Sequence, residues 1–189
     1  MRRQALLLCV CAAAASAVAS TARATPTSGP AAAAYIQLQT TRAALANKES
    51  GFSDPWVRTY VEQSIALLDS ALTPARWTNY GIAYFPAEFE LGDLRQAAAW
   101  LVWADPTLMS ATVSDQRNII WSAGQVVRVR FNDVRGFIGE GGGASPWSLW
   151  ASEYMLNLGD AQLVDDIMAA SLSYQSAWQY LEGQPPCCA

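Results

Sequence analysis

The residues able to move protons in this chain are few, because it contains no histidine and its lone lysine is Lys48. Histidine-based nucleophile systems and histidine zinc sites are therefore excluded, and acid–base chemistry falls to carboxylates and tyrosines. Glu49, within the stretch KESGFSDPW, is one candidate proton donor. Glu88 and Glu90, gathered with Asp93 ahead of an apolar helical stretch, are two others. Ordinary glycosidases need two carboxylates across one bond, so a cluster of acids is one pattern to look for. Tyr84 is the candidate tyrosine acid–base, and Tyr80 sits in the same aromatic loop. Trp100 with Trp103, and Trp147 with Trp150, are each spaced by three, which puts both indoles of a pair on one helix face. Exposed indoles stack on sugar rings; buried ones are core material.

Glu49-Ser50-Gly51-Phe52 resembles the first motif of lytic transglycosylases. The resemblance implies that Glu49 protonates the glycosidic oxygen, with its pKa raised by an apolar surround that Phe52 and Trp56 would supply. The Gly-Leu-Met-Gln segment of that family has no counterpart here. A second likeness covers residues 86–182. The stretches LRQAAAWLVWADP (94–106) and YMLNLGDAQLV (154–164) resemble the helix–hinge–helix units of α/α-toroid polysaccharide lyases. That resemblance implies paired helical hairpins and a polysaccharide substrate, although the catalytic histidine usual in such lyases is absent. Helix chemistry alone accounts for the same residues: Glu49 as a helix end, and Glu88, Glu90 and Asp93 as acids at a positive helix N-terminus.

The elements that must position these groups read as helices. Apolar residues recur at helical spacing at Tyr35, Leu38 and Leu45, and again from Val57 through Leu72. Asp54-Pro55 is a cap followed by a first-turn proline, and Ser145-Pro146 repeats the device. A third helix is expected from about residue 86 to Trp103, ended by Asp105-Pro106. From Ser114 the spacing predicts another helix. Val127-Arg128-Val129-Arg130-Phe131 also alternates like a strand, so a short β-hairpin near 126–138 is the alternative. A helix opening at Pro146 is expected to end at Gly159, with Asp160 capping the last one. The expected fold class is all-α, with about six antiparallel helices in paired hairpins.

Residues 1–24 have a basic start, an apolar run of about a dozen residues and an Ala22-Arg23-Ala24 cleavage pattern, which reads as a secretory signal. Residues 25–34 read as a flexible leader, 35–183 as one helical domain, and 184–189 as a disordered tail holding Cys187 and Cys188. Three of the 12 basic residues fall in the signal, so nine basic groups face 16 acidic ones in the remainder. That balance argues against nucleic acid as a partner. No apolar stretch beyond the signal is long enough to cross a membrane. The glycine-rich 139–143 loop lacks the strand frame of a nucleotide site, so no cofactor and no metal is expected. The functional expectation is a secreted or periplasmic protein that binds or cleaves extracellular polysaccharide or peptidoglycan. The alternative is a non-catalytic helical module with a protein partner.

Overall fold

The structure, a computed structural model, describes residues 26, 28–78, 81–82, 87–103, 105–137 and 144–182. It is all-α: among these residues there are six helices, α1 (Gly29–Glu49), α2 (Pro55–Ala71), α3 (Ala87–Trp103), α4 (Pro106–Phe137), α5 (Pro146–Gln162) and α6 (Ile167–Leu181). A single 3-10 turn, Pro74–Arg76, leads into a two-residue strand β1 (Trp77–Thr78), paired antiparallel with β2 (Gly81–Ile82). No helix among the described residues is long and apolar enough to cross a membrane.

Capping explains where most helices begin. The Asp54 carboxylate accepts from the Trp56 amide at 2.8 Å, Ser145 Oγ from the Ser148 amide at 3.0 Å, and Asp166 from the Ala169 amide at 2.9 Å. Asp105-Pro106 does more than end α3. The Asp105 carboxylate accepts from the Leu108 and Thr107 amides, which hold its pKa below the usual carboxylate range, and Pro106 opens α4. The same cap–proline device thus starts three helices. At the front of the domain the first helix begins at Gly29, inside the stretch expected to be a loose leader. Ala31, Ala32 and Ala34 are buried there, which gives the early turns a reason to form.

Helix α4, 32 residues and about 48 Å long, touches α1, α3, α5 and α6 and is the axis of the core. Leu108, Ile119, Ile120, Ala123, Val127 and Phe131 form its buried stripe at helical spacing. The helix runs through to Phe137, so there is no β-hairpin at 126–138. The alternation of Val and Arg misleads for a physical reason. In a strand Arg128 and Arg130 would share a face, whereas two helical positions apart they point to different neighbours. Arg128 pairs with Asp160 on α5, and Arg130 Nε donates to Glu182 Oε1, just past α6, at 2.9 Å.

The α5–α6 boundary also differs from expectation. α5 continues past Gly159 to Gln162, and the cap of α6 is Asp166, not Asp160. Gly159 is a buried close-approach site facing the Tyr174 ring, while Asp160 accepts from Tyr174 Oη at 2.7 Å. Cross-links tie neighbours together: Arg42 to Asp69 between α1 and α2, Ser70 to Asp93 between α2 and α3, and Ser173 to Gln162 between α6 and α5. Under the strand pair, fully buried Trp77 donates its indole N–H to Ala71 O at 2.7 Å and meets the edge of Tyr35 at 5.0 Å.

Candidate functional site

One face of α3 carries Gly92, Arg95, Gln96, Ala99 and Trp100, the three- and four-residue spacing of a single helical surface. Gly92 and Ala99 are small, and a Cβ added at Gly92 would meet nothing within 4 Å, so this face is a trough. Across it stand Gln175 and Trp178 of α6. Two adjoining clefts result. The inner one, about 300 Å³, is lined by Leu91, Arg95, Ile120, Gln175 and Trp178 among others. The outer one, about 440 Å³, shares Gly92 and Arg95 and extends to Trp100 and Met168. Together they form a groove of a size suited to a small ligand or a short polymer segment.

The groove is polar at its inner end and aromatic at its outer end. Arg95 Nη1 donates to Gln175 Oε1 at 2.7 Å. Trp178 is 4 % exposed, and its indole N–H has no hydrogen-bond partner among the described residues. At the outer end Trp100 is backed by Tyr60, stacked at 5.7 Å between centroids and 22° between planes, which holds the indole in one orientation. No aspartate or glutamate lines either cleft among the described residues. Tyr174 borders the inner cleft, but its hydroxyl is committed to Asp160. Burial first, then that hydrogen bond, raises its pKa well above the ordinary phenol value, so it stays protonated.

The chain matches no family model, no curated protein and no solved structure. The reading of the groove therefore stands on its own residues. Among the described residues no group of three or more metal-ligating side chains gathers.

Of the residues singled out from sequence, the groove takes in Trp100. Glu49 is the last residue of α1, half-exposed, and lines neither cleft. Glu88 and Glu90 lie in the first turn of α3, with side chains outside the described residues, as is that of Trp103. Tyr80, Tyr84, the 139–143 loop and Cys187-Cys188 also lie outside them. Trp147 and Trp150 are more than half exposed on α5. Trp150 stacks on Tyr154 at 5.9 Å, and Trp147 meets the edge of Tyr180 at 5.4 Å, so the two form a separate aromatic surface. Sequence reasoning missed Arg95, Gln175 and Trp178. The only local signal was a helix face mixing small, cationic and aromatic residues in α3, with Gln175, Trp178 and Gln179 at helical spacing in α6.

Proposed function

We propose that this is a secreted helical protein that binds extracellular glycan in the α3–α6 groove. The observation that carries the reading is the make-up of the groove. Trp100, braced by Tyr60, offers a stacking surface for a sugar ring, while Arg95 and Gln175 supply donors for its oxygens. Export rests on the pattern of residues 1–24. Titrating the protein with neutral and acidic oligosaccharides by calorimetry tests the binding, alongside an assay for newly formed chain ends. Binding that weakens about tenfold in Trp100→Ala, roughly 1.4 kcal/mol, is expected, and release of chain ends would add cleavage to it. Binding indifferent to Trp100→Ala would sink the reading.

A second reading, self-assembly through an apolar surface, is favoured by the exposure of Trp147, Trp150 and Tyr154 on one helix, at 61 %, 63 % and 56 %. Sedimentation of the protein and of Trp150→Ser tests it. A dimer lost in the variant supports it, and a monomer in both cases removes it.

A further inference from the structure

We infer that the cleft between α4 and α5 is a second sugar site, in which a neutral pyranose ring stacks on Trp150 while Arg135 and Glu153 bind its hydroxyls. This rests on the reading that the protein binds glycan, but it uses none of the residues of the α3–α6 groove.

Three observations converge. The first is a cleft with an aromatic wall. Phe131 and Arg135 of α4, with Pro146, Leu149, Trp150 and Glu153 of α5, line a hollow of about 390 Å³. Phe131 is buried in it, whereas Trp150 is more than half exposed. Tyr154, one turn along α5, stacks on Trp150 at 5.9 Å between centroids and 18° between planes, which fixes the plane of the indole. An exposed ring held in one orientation is a platform for a sugar face. The second observation is a pair of opposite charges. Arg135 and Glu153 line the same cleft, yet neither makes a side-chain hydrogen bond or ion pair among the described residues, with each other included.

That pair selects the ligand. A guanidinium only donates and a carboxylate only accepts, whereas a hydroxyl does both, so neighbouring hydroxyls of one ring satisfy the two together. Hydrogen bonds to a charged partner are the stronger kind. An anionic ligand would meet Glu153 and a cationic one Arg135, which favours a neutral ring. A second copy laid on this face would have to take both charges out of water and pair them again. The third observation is that the aromatic surface runs on past the cleft. Trp147, one turn before Trp150 and also more than half exposed, meets the edge of Tyr180 at 5.4 Å, so the cleft is open to a unit within a longer chain. Trp100 lies one turn from the end of α3 that leads into α4, while Phe131 and Arg135 lie in the last two turns of α4. The two sites therefore stand on the order of 30 Å apart along the axis of α4, at about 1.5 Å per residue. A polysaccharide that reaches both is held bivalently.

The full chain is titrated with cellotetraose, chitotetraose and tetragalacturonate, by calorimetry and with the indole N–H resonances of Trp150 and Trp100 followed by NMR. The parent is compared with Trp150→Ala, Arg135→Gln, Glu153→Gln and Trp100→Ala. The first three alter exposed side chains, and circular dichroism checks that each variant is folded. At least one neutral tetrasaccharide should shift the Trp150 resonance, and at a lower concentration than tetragalacturonate does. Trp150→Ala should weaken one of two calorimetric binding steps about tenfold, as loss of a stacking ring does. Arg135→Gln and Glu153→Gln should each weaken the binding read at Trp150 about threefold, since a charge-assisted bond becomes a neutral one. The Trp150 shift should survive Trp100→Ala. Binding that persists in Trp150→Ala and vanishes in Trp100→Ala overturns this site and leaves the groove standing; the reverse upholds this site and overturns the groove. A Trp150 resonance moved by neither neutral sugar, or moved more readily by tetragalacturonate, overturns the inference. So does a dimer in sedimentation that Trp150→Ser abolishes, because the face then belongs to a second copy.

Discussion

The ring of Tyr174 lies so close over Gly159 that a Cβ at that position would stand 2.5 Å from Cε1. Gly124 of α4 meets the same ring, its hypothetical Cβ 2.6 Å from Cζ, so one tyrosine of α6 fills the space left by two glycines on neighbouring helices. Both contacts are with the body of a buried ring, which has little room to move. Gly159→Ala and Gly124→Ala are expected to destabilise the fold by about 1–3 kcal/mol each, as overpacked core positions do. Urea denaturation checks this. A change near zero in both would show that the ring is not fixed between them.

Tyr174 also gives stability a pH dependence. Its pKa is higher in the folded protein than in the unfolded chain, where tyrosine ionises near pH 10, first because it is buried and then because its hydroxyl bonds to Asp160. The folded state therefore holds the phenol proton more tightly. Its contribution is complete below about pH 10 and is lost as pH rises above that value. Denaturation curves between pH 9 and 11 should fall more steeply for the parent than for Tyr174→Phe, and equal slopes would contradict the assignment.

Lys48 Nζ donates to Asp115 Oδ2 at 2.6 Å, and the Asp115 side chain is 6 % exposed. Lys48→Met leaves that carboxylate buried without its cation and should cost about 2 kcal/mol. Adding Asp115→Leu removes the stranded charge, so the double variant is expected to be more stable than Lys48→Met alone. If the double variant is the less stable of the two, the pair is not what holds α1 to α4 at this point.

Glu49 makes no side-chain hydrogen bond or ion pair among the described residues and ends α1 where Gly51 N bonds back to Lys48 O. Glu49→Gln should change stability by less than about 0.5 kcal/mol and leave ligand binding unaltered. A glycan-cleaving activity present in the parent and gone in this variant would restore the proton-donor reading of KESGFSDPW.

Cys9 and Cys11 fall within residues 1–24, and Cys187 and Cys188 are sequence neighbours, which cannot staple distant segments. Helical circular dichroism is accordingly expected to be the same with and without a reductant, and a loss of signal on reduction would assign Cys187 and Cys188 a structural role.

Much of the fold was legible in local sequence because helix formation is a local event. Asp54-Pro55 and Ser145-Pro146 marked two helix starts, since a capping side chain and a first-turn proline act within one turn. The absence of histidine limits the chemistry through composition alone, however the chain folds. Other features were decided between segments. Val127 to Phe131 is helical where Val127 and Phe131, four positions apart, both enter the core between helices, and at Gly159 the Tyr174 ring of another helix packs against a helix that continues. The groove is the extreme case. Arg95 and Gln175 are 80 positions apart, and neither carries a motif, so only the packing of α3 against α4 and α6 makes them neighbours. The unpartnered N–H of Trp178 is likewise invisible in sequence, because a missing hydrogen bond is a property of the surroundings a side chain meets after the chain has folded.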